Sequence, residues 1–223
     1  MSPLINGGRV LHLIRHAQSN WNVNTGGEHV GARPTIVDVD SRLSEVGVAQ
    51  ATALSLDAIA PPPQLIISSP LSRALATAVA LAGDSDVEIR AEPFATEWCE
   101  NSCDVGRPST ELKAEYAGLV KNIGFIGMQW WPLTQEEIAA GGRETEASVD
   151  ERVASLLAQL QLVPHTSIAL VSHCMLLQKV EMALTEAVEP SYLANAEVRT
   201  VALPDNMPEA LKFKAWQKPN QSV

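Results

Sequence analysis

The chain has 223 residues, of which 46% are hydrophobic and 19% charged, a globular composition that excludes a mostly disordered or fibrous protein and fits one large domain or two small ones. Sixteen Lys and Arg face 26 Asp and Glu, for a formal charge of −10, and neither half is basic: seven cations face 13 anions in residues 1–112, and nine face 13 in the remainder. Nucleic acid and anionic membrane surfaces both demand a broad positive footprint and are not expected partners, whereas a small anionic substrate needs only a few local cations.

The longest uninterrupted apolar run is the five residues Ala78–Ala82, against the roughly 20 that a spanning helix requires. The N-terminal stretch Met1–Arg9 has no basic start followed by a long apolar segment and does not read as a secretory signal. Cys99, Cys103 and Cys174 cannot all pair within one chain, which points to a reducing, cytoplasmic setting.

In chain order, Arg9–Ile14 is short and rich in branched residues and reads as a buried strand running into the polar loop Arg15-His16-Ala17-Gln18-Ser19-Asn20. From Ser44 the spacing of Val48, Ala51, Leu54 and Ile59 predicts a helix that Pro61-Pro62-Pro63 must end. Leu65-Ile66-Ile67 is a second strand, followed by an alanine-rich helix with Pro70 at its start and Gly83 at its stop. Val87–Ile89 is a third strand. Between about residues 94 and 142 periodicity is weak, and we expect an excursion with short helices. Val149, Val153, Leu156, Leu157 and Leu160 mark one face of a helix ending near Pro164. Thr166–Val171 is a strand, Cys174 to about Ala187 a helix, and the chain from about residue 204, with Lys212, Lys214 and Lys218, a surface extension. There is no repeat and no convincing linker, so residues 1–223 are expected to form a single α/β domain: a three-layer α/β/α sandwich with a mostly parallel central sheet and helices on both faces. Loops beyond the carboxyl ends of its strands are the expected place for chemistry.

Polar clusters follow three strands: Arg15-His16, Ser69-Pro70-Leu71-Ser72-Arg73 and Ser172-His173. A lone Arg-His pair is most often a surface cation beside a hydrogen-bonded loop histidine. With Arg73 and His173 added, four groups are available to surround a phosphate dianion, and an imidazole beside a permanent cation suits phosphoryl transfer through nitrogen.

These residues carry a resemblance. Leu13-Ile14-Arg15-His16-Ala17-Gln18-Ser19-Asn20-Trp21-Asn22 is similar to the Arg-His-Gly signature of the histidine phosphatase superfamily, the phosphoglycerate-mutase-like family. Leu43-Ser44-Glu45-Val46-Gly47-Val48-Ala49-Gln50-Ala51, Ile67-Ser68-Ser69-Pro70-Leu71-Ser72-Arg73-Ala74, Gly142-Arg143-Glu144-Thr145 with Arg152, and Leu170-Val171-Ser172-His173 resemble its later elements in order. Five ordered elements over about residues 9–187 are far more specific than any one of them. Cys103-Asp104-Val105-Gly106-Arg107-Pro108 is similar to a stretch in fungal and plant members. Ala17 stands where glycine is commonest, and Cys174 follows His173 where a glycine is usual.

The resemblance implies a histidine acid phosphatase-type phosphomonoesterase acting on a small phosphorylated metabolite. It implies His16 as the nucleophile that becomes phosphohistidine, Arg15, Arg73 and His173 as holders of the phosphoryl oxygens, and no metal or other cofactor. A carboxyl group is needed as proton donor; Phe94-Ala95-Thr96-Glu97-Trp98-Cys99-Glu100 offers Glu97 and Glu100, and the family's spacing and the adjacent Trp98 favour Glu97. Asn22 is expected either to donate to the phosphate or to cap its loop. The alternatives are a phosphoglycerate mutase-type transferase, disfavoured because no basic, paired-arginine segment for a substrate carboxylate is present, and a non-catalytic phospho-ligand-binding module, which has no need of a nucleophile.

Other residues lean toward structural roles. His12 and His16 are four apart, but in a strand that is about 13 Å, too far for one metal. The three cysteines suit buried packing better than zinc. Trp130-Trp131 fit either a substrate rim or packing over the core, and His29 and His165 carry no motif. The sequence leaves the substrate and the oligomeric state open.

Overall fold

The computed structural model describes residues 8–26, 37–185 and 192–205. Five strands form one sheet: β1 (Val10–Arg15), β2 (Leu65–Ser68), β3 (Glu88–Ala91), β4 (Ser167–Ser172) and β5 (Val198–Ala202), in the order β3-β2-β4-β1-β5. The first four pair in parallel, and β5 runs antiparallel along β1. Every residue of β1, β2 and β4 is buried, as expected of parallel strands covered on both faces.

Alternation along the strands separates two cores. Leu11, Leu13, Leu65, Ile67, Ile168 and Leu170 turn toward α6 (Glu146–Leu162) and α7 (Cys174–Thr185), meeting Val149, Val153, Leu156, Leu157 and Leu160. Ile14, Ile66, Ala169 and Val171 turn the other way, toward Leu71, Ala74, Leu75 and Ala78 around α3 (Ser72–Ala82). The result is the three-layer α/β/α arrangement with helices on both faces. No helix among the described residues is long and apolar enough to cross a membrane.

Three elements differ from the sequence expectation. The helix expected from Ser44 to Ile59 is only α2, Glu45–Thr52, followed by a separate 3₁₀ turn at Leu56–Ala58. Its inward face is Gly47 and Ala51, while Val48, counted in the expected apolar spacing, is exposed. The third strand lies at Glu88–Ala91, slightly later than expected. Strand β5 was not anticipated, because Val-Arg-Thr-Val-Ala on a sheet edge buries only Val201 and shows little apolar signal. The excursion holds α4 (Ser109–Tyr116), α5 (Gln135–Ala139) and three short 3₁₀ turns. Within it, Trp130 is buried against Gly106, where a Cβ would lie 2.4 Å from the indole, so it packs over the core. The end of the expected last helix, at about Ala187, His29, and the expected tail beyond Asp205 fall outside the described residues.

Register brings the polar clusters together. Arg15 lies opposite Ser172, and Ser68 opposite Val171. The carboxyl ends of β1, β2 and β4 therefore sit side by side, where α/β sheets place their ligand crevice.

Two of the ordered motifs support this edge without facing it. Gln18 is held by α2: its amide N donates to Gln50 Oε1 (2.9 Å), and Ser44 Oγ donates to Gln18 Oε1 (2.7 Å). A Cβ on Gly47 would lie 1.9 Å from the Gln18 carbonyl oxygen, so only glycine admits this approach. Arg152 pairs with Glu144 (Nε to Oε1, 2.7 Å) and donates to the carbonyls of Phe94, Thr96 and Glu97. Glu144 also accepts from Cys99 N at 3.1 Å. The pair, with side chains 11% and 2% exposed, thereby clamps residues 94–99 against the start of α6.

Gly47→Ala is expected to cost about 1–3 kcal/mol, as overpacking of a tight contact does. Arg152→Met leaves Glu144 buried without its cation and is expected to cost about 3–5 kcal/mol. Both losses should appear as lower denaturant midpoints with unchanged slopes.

Candidate active site

His16 stands just past β1, 4% exposed. Its Nδ1 lies 2.7 Å from the Ala17 carbonyl oxygen, which can only accept, so the ring proton resides on Nδ1 and Nε2 keeps its lone pair. Arg73 Nε approaches that Nε2 at 3.3 Å. The Ala17 amide is fixed by Thr77 Oγ1 at 3.1 Å, and the small Ala17 side chain is fully buried without disturbing the loop.

Arg73 is held from several sides. Nη1 donates to the Cys103 carbonyl (2.5 Å) and Nη2 to Asp104 Oδ1 (2.9 Å). Asp40, in the left-handed region at φ 48°, accepts from Ser72 N (2.7 Å) and Ser72 Oγ (2.5 Å) at the start of α3, one residue before Arg73. Arg107 Nε donates to Asp40 Oδ2 at 2.7 Å and ties the Cys103–Pro108 stretch to the same point. Arg15 reaches across to the Leu193 carbonyl at 2.8 Å.

His173 lies fully buried behind His16, their ring centroids 5.0 Å apart. Its Nε2 meets Ser69 Oγ at 2.8 Å, and that hydroxyl oxygen already accepts from Leu71 N. Its Nδ1 has no hydrogen-bond partner among the described residues. Burial first, then the charge of Arg73, the neighbouring His16 ring and the charge of Arg15, hold its pKa well below the usual histidine range. Cys174, next in sequence, is accommodated as a buried side chain near the Leu193 carbonyl.

Glu97 and Glu100 both line the cleft that contains Arg15, His16 and Arg73, but in different settings. The Glu97 carboxyl accepts from Trp98 N (2.9 Å) and from Met175 N (3.3 Å) and Leu176 N (3.0 Å) in the first turn of α7. Those contacts and Arg73 favour its charged form, yet burial, reinforced by the nearby Asp104 charge, raises its pKa to about 6. Glu100 sits 4.0 Å from exposed Arg143.

Asn22 also lines the cleft. Its Oδ1 accepts from Ser19 N (3.1 Å), Ser19 Oγ (3.0 Å) and Asn195 Nδ2 (3.2 Å). The capping role expected as one alternative is therefore present, and Nδ2 is the part of Asn22 left to meet a ligand.

Burial raises all three cysteine thiols: Cys99 and Cys103 well above the usual range and Cys174 to about 11. Thiols in that state are inert packing. His12 is engaged by Thr200 and Ser167 of the sheet and by the Pro61 carbonyl in the loop before β2, and is structural.

Sequence reasoning missed Asp40, Ser69, Asp104 and Asn195 as parts of this site. Ser69 and Asp104 lay inside stretches already singled out; Asp40 and Asn195 lie in loops with no pattern to mark them. The combined arrangement offers an unprotonated imidazole nitrogen, two guanidinium groups and a buried imidazole on one side, and a carboxyl group poised to carry a proton on the other. That is the equipment for moving an anionic group onto nitrogen.

Among solved structures, the chain is similar to a mycobacterial glucosyl-3-phosphoglycerate phosphatase, with a TM-score of 0.56 and 23% identity over 86% of this chain and 89% of that one. It is also similar to a protein named mycobacterial hydrolase 1, with a TM-score of 0.58 and 23% identity over 86% and 91% of the two chains. A proposed alpha-ribazole-5'-P phosphatase from Escherichia coli K-12 gives a TM-score of 0.57 and 19% identity over 86% and 89%. Identities this low speak for the fold alone. No curated protein gives a significant match. The family model described as histidine phosphatase superfamily (branch 1) matches residues 11–214, and by that match the chain belongs to the histidine phosphatase superfamily.

Proposed function

We propose that this protein is a histidine acid phosphatase-type phosphomonoesterase that hydrolyses a small phosphorylated metabolite through a phosphohistidine on His16. The observation that carries this reading is the orientation of His16: its Nδ1 proton is committed to the Ala17 carbonyl, and its Nε2 lone pair lies beside Arg73. Binding alone does not require a nitrogen presented in this way. The chain's phosphatase relatives in fold are consistent with it.

In the first step the His16 Nε2–P bond forms while the ester P–O bond breaks, and the departing alkoxide takes the proton of Glu97. Arg15, Arg73 and the His173 Nδ1 donor offset charge on the phosphoryl oxygens, with Asn22 Nδ2 as a further donor. Burial is the main reason the His173 pKa is low, and the incoming anion offsets the secondary contribution of Arg73 and Arg15. In the second step water gives a proton to Glu97 and attacks phosphorus, the N–P bond breaks, and inorganic phosphate leaves. Two moderate barriers replace one high one. Hydrolysis rather than mutase-type transfer is supported by the cleft lining, which among the described residues holds Glu100 and Asp104 and no cation beyond Arg15 and Arg73. The reading includes a cytoplasmic setting, supported by three cysteines that are all unbridged.

Incubation with a labelled nitrophenyl phosphate should yield an acid-labile, base-stable phosphoenzyme, and the label should vanish in His16→Ala. Persistence of label there would assign the nucleophile elsewhere.

Glu97→Gln should lower turnover of an alkyl phosphate by about 10²–10⁴-fold, the usual contribution of a general acid. Formation of the phosphoenzyme from nitrophenyl phosphate, whose leaving group needs no proton, should suffer much less. Because Glu97 must be protonated for the first step, the wild-type kcat/KM for the alkyl ester should fall as pH rises through about 6, and the Glu97→Gln profile should lack that descent. The same selective pattern in Glu100→Gln instead would exchange the two roles.

A further inference from the structure

The walls of the cleft beyond His16 carry information about the alcohol portion of the ester. Among the described residues, the cations that line it are Arg15 and Arg73. Arg73 is offset by Asp104 at 2.9 Å, both side chains almost fully buried, so the positive charge left to answer an anion is small and is directed at the phosphoryl group. Toward the mouth stands Glu100, its side chain 27% exposed, with Asn101 beside it. The nearby cations do not reverse this balance. Arg143 sits outside the lining, 4.0 Å from Glu100, with its side chain 52% exposed. Lys179 lies over the Trp98 ring at 5.6 Å, is engaged by Glu146 and Asp150, and does not line the cleft.

Apolar surface completes the walls. Trp21, Trp98 and Met175 line the cleft, and the indole of Trp98 is fixed by its Nε1–H bond to the Glu144 carbonyl at 2.8 Å. Held indoles offer flat apolar area at little conformational cost. A carboxylate or second phosphate on the alcohol would lie beside Glu100 in a partly desolvated cleft, with its own hydration lost and, among the described residues, no further lining cation in exchange.

We infer that the cleft selects phosphomonoesters whose alcohol portion is uncharged or cationic and carries a flat apolar face, and that it rejects esters bearing a second anionic group. The inference rests on the phosphatase reading above for the placement of the phosphoryl group at His16.

Phosphonates test it without requiring turnover. Benzylphosphonate, its 4-carboxy derivative and its 4-aminomethyl derivative share one phosphonate and one ring and differ in the charge carried toward the mouth. Calorimetric titration of the full chain should rank the neutral and aminomethyl compounds about tenfold or more tighter than the carboxy compound. Glu100→Gln should narrow that gap. Equal or tighter binding of the carboxy compound overturns the inference, and so does a failure to bind all three. Loss of the phosphatase reading registers separately, as an absence of phosphoenzyme from nitrophenyl phosphate while the phosphonate ranking holds.

Discussion

Arg73 is a guanidinium buried to 3% exposure, and an ion so far from water persists only where its donors are matched by acceptors. Much of the architecture around the cleft answers that demand. Asp104 and the Cys103 carbonyl must reach it, so the excursion after β3 has to fold back over the carboxyl edge of the sheet. Arg107 and Asp40 then lock that fold-back onto the start of α3. The same demand orients the third partner, because the remaining Nε–H of Arg73 is turned toward His16 Nε2. A single desolvated cation thus joins His16, the excursion and the helix that follows β2.

The opposite wall is organised by a second buried pair. Arg152 spends its donors on Glu144 and on the carbonyls of Phe94, Thr96 and Glu97. That clamp sets Glu97 before the first turn of α7, where backbone amides receive its carboxylate. The amides and Arg73 pull the proton off, while burial and Asp104 hold it on, and the outcome is a carboxyl group that titrates near pH 6. Asp104 therefore acts on both walls: it offsets Arg73 and discourages charge on Glu97. The electrostatic poise of the two walls is shared, and neither belongs to one residue.

The strand-end clusters were legible in the sequence because short runs of branched residues followed by polar residues reflect a local rule, and the parallel sheet turns those ends to one edge. Arg15, His16, Arg73 and His173 were found in this way and do converge. The Gly47 element and the Glu144–Arg152 element were legible as motifs, but their work was not. Gly47 matters through a carbonyl 29 positions earlier, and Arg152 through carbonyls more than 50 positions earlier. Periodicity misled where exposed Val48 was counted in an inward face, and it was silent at β5, whose edge position buries one side chain.

By itself, then, the sequence determined the α/β layering, the carboxyl-edge location of the candidate site and its strand-end groups Arg15, His16, Arg73 and His173, because these follow from patterns within a dozen neighbouring residues. Only the tertiary structure decided that Asp40, Ser69, Asp104 and Asn195 belong to the site. It also turned His16 Nδ1 to the Ala17 carbonyl and enclosed the Glu97 carboxyl where burial and backbone donors compete for its proton. The physical reason is that tautomers, desolvation and ion pairing depend on which distant backbone atoms close around a side chain, and that closure is a property of the packed loops, with no local sequence period to announce it.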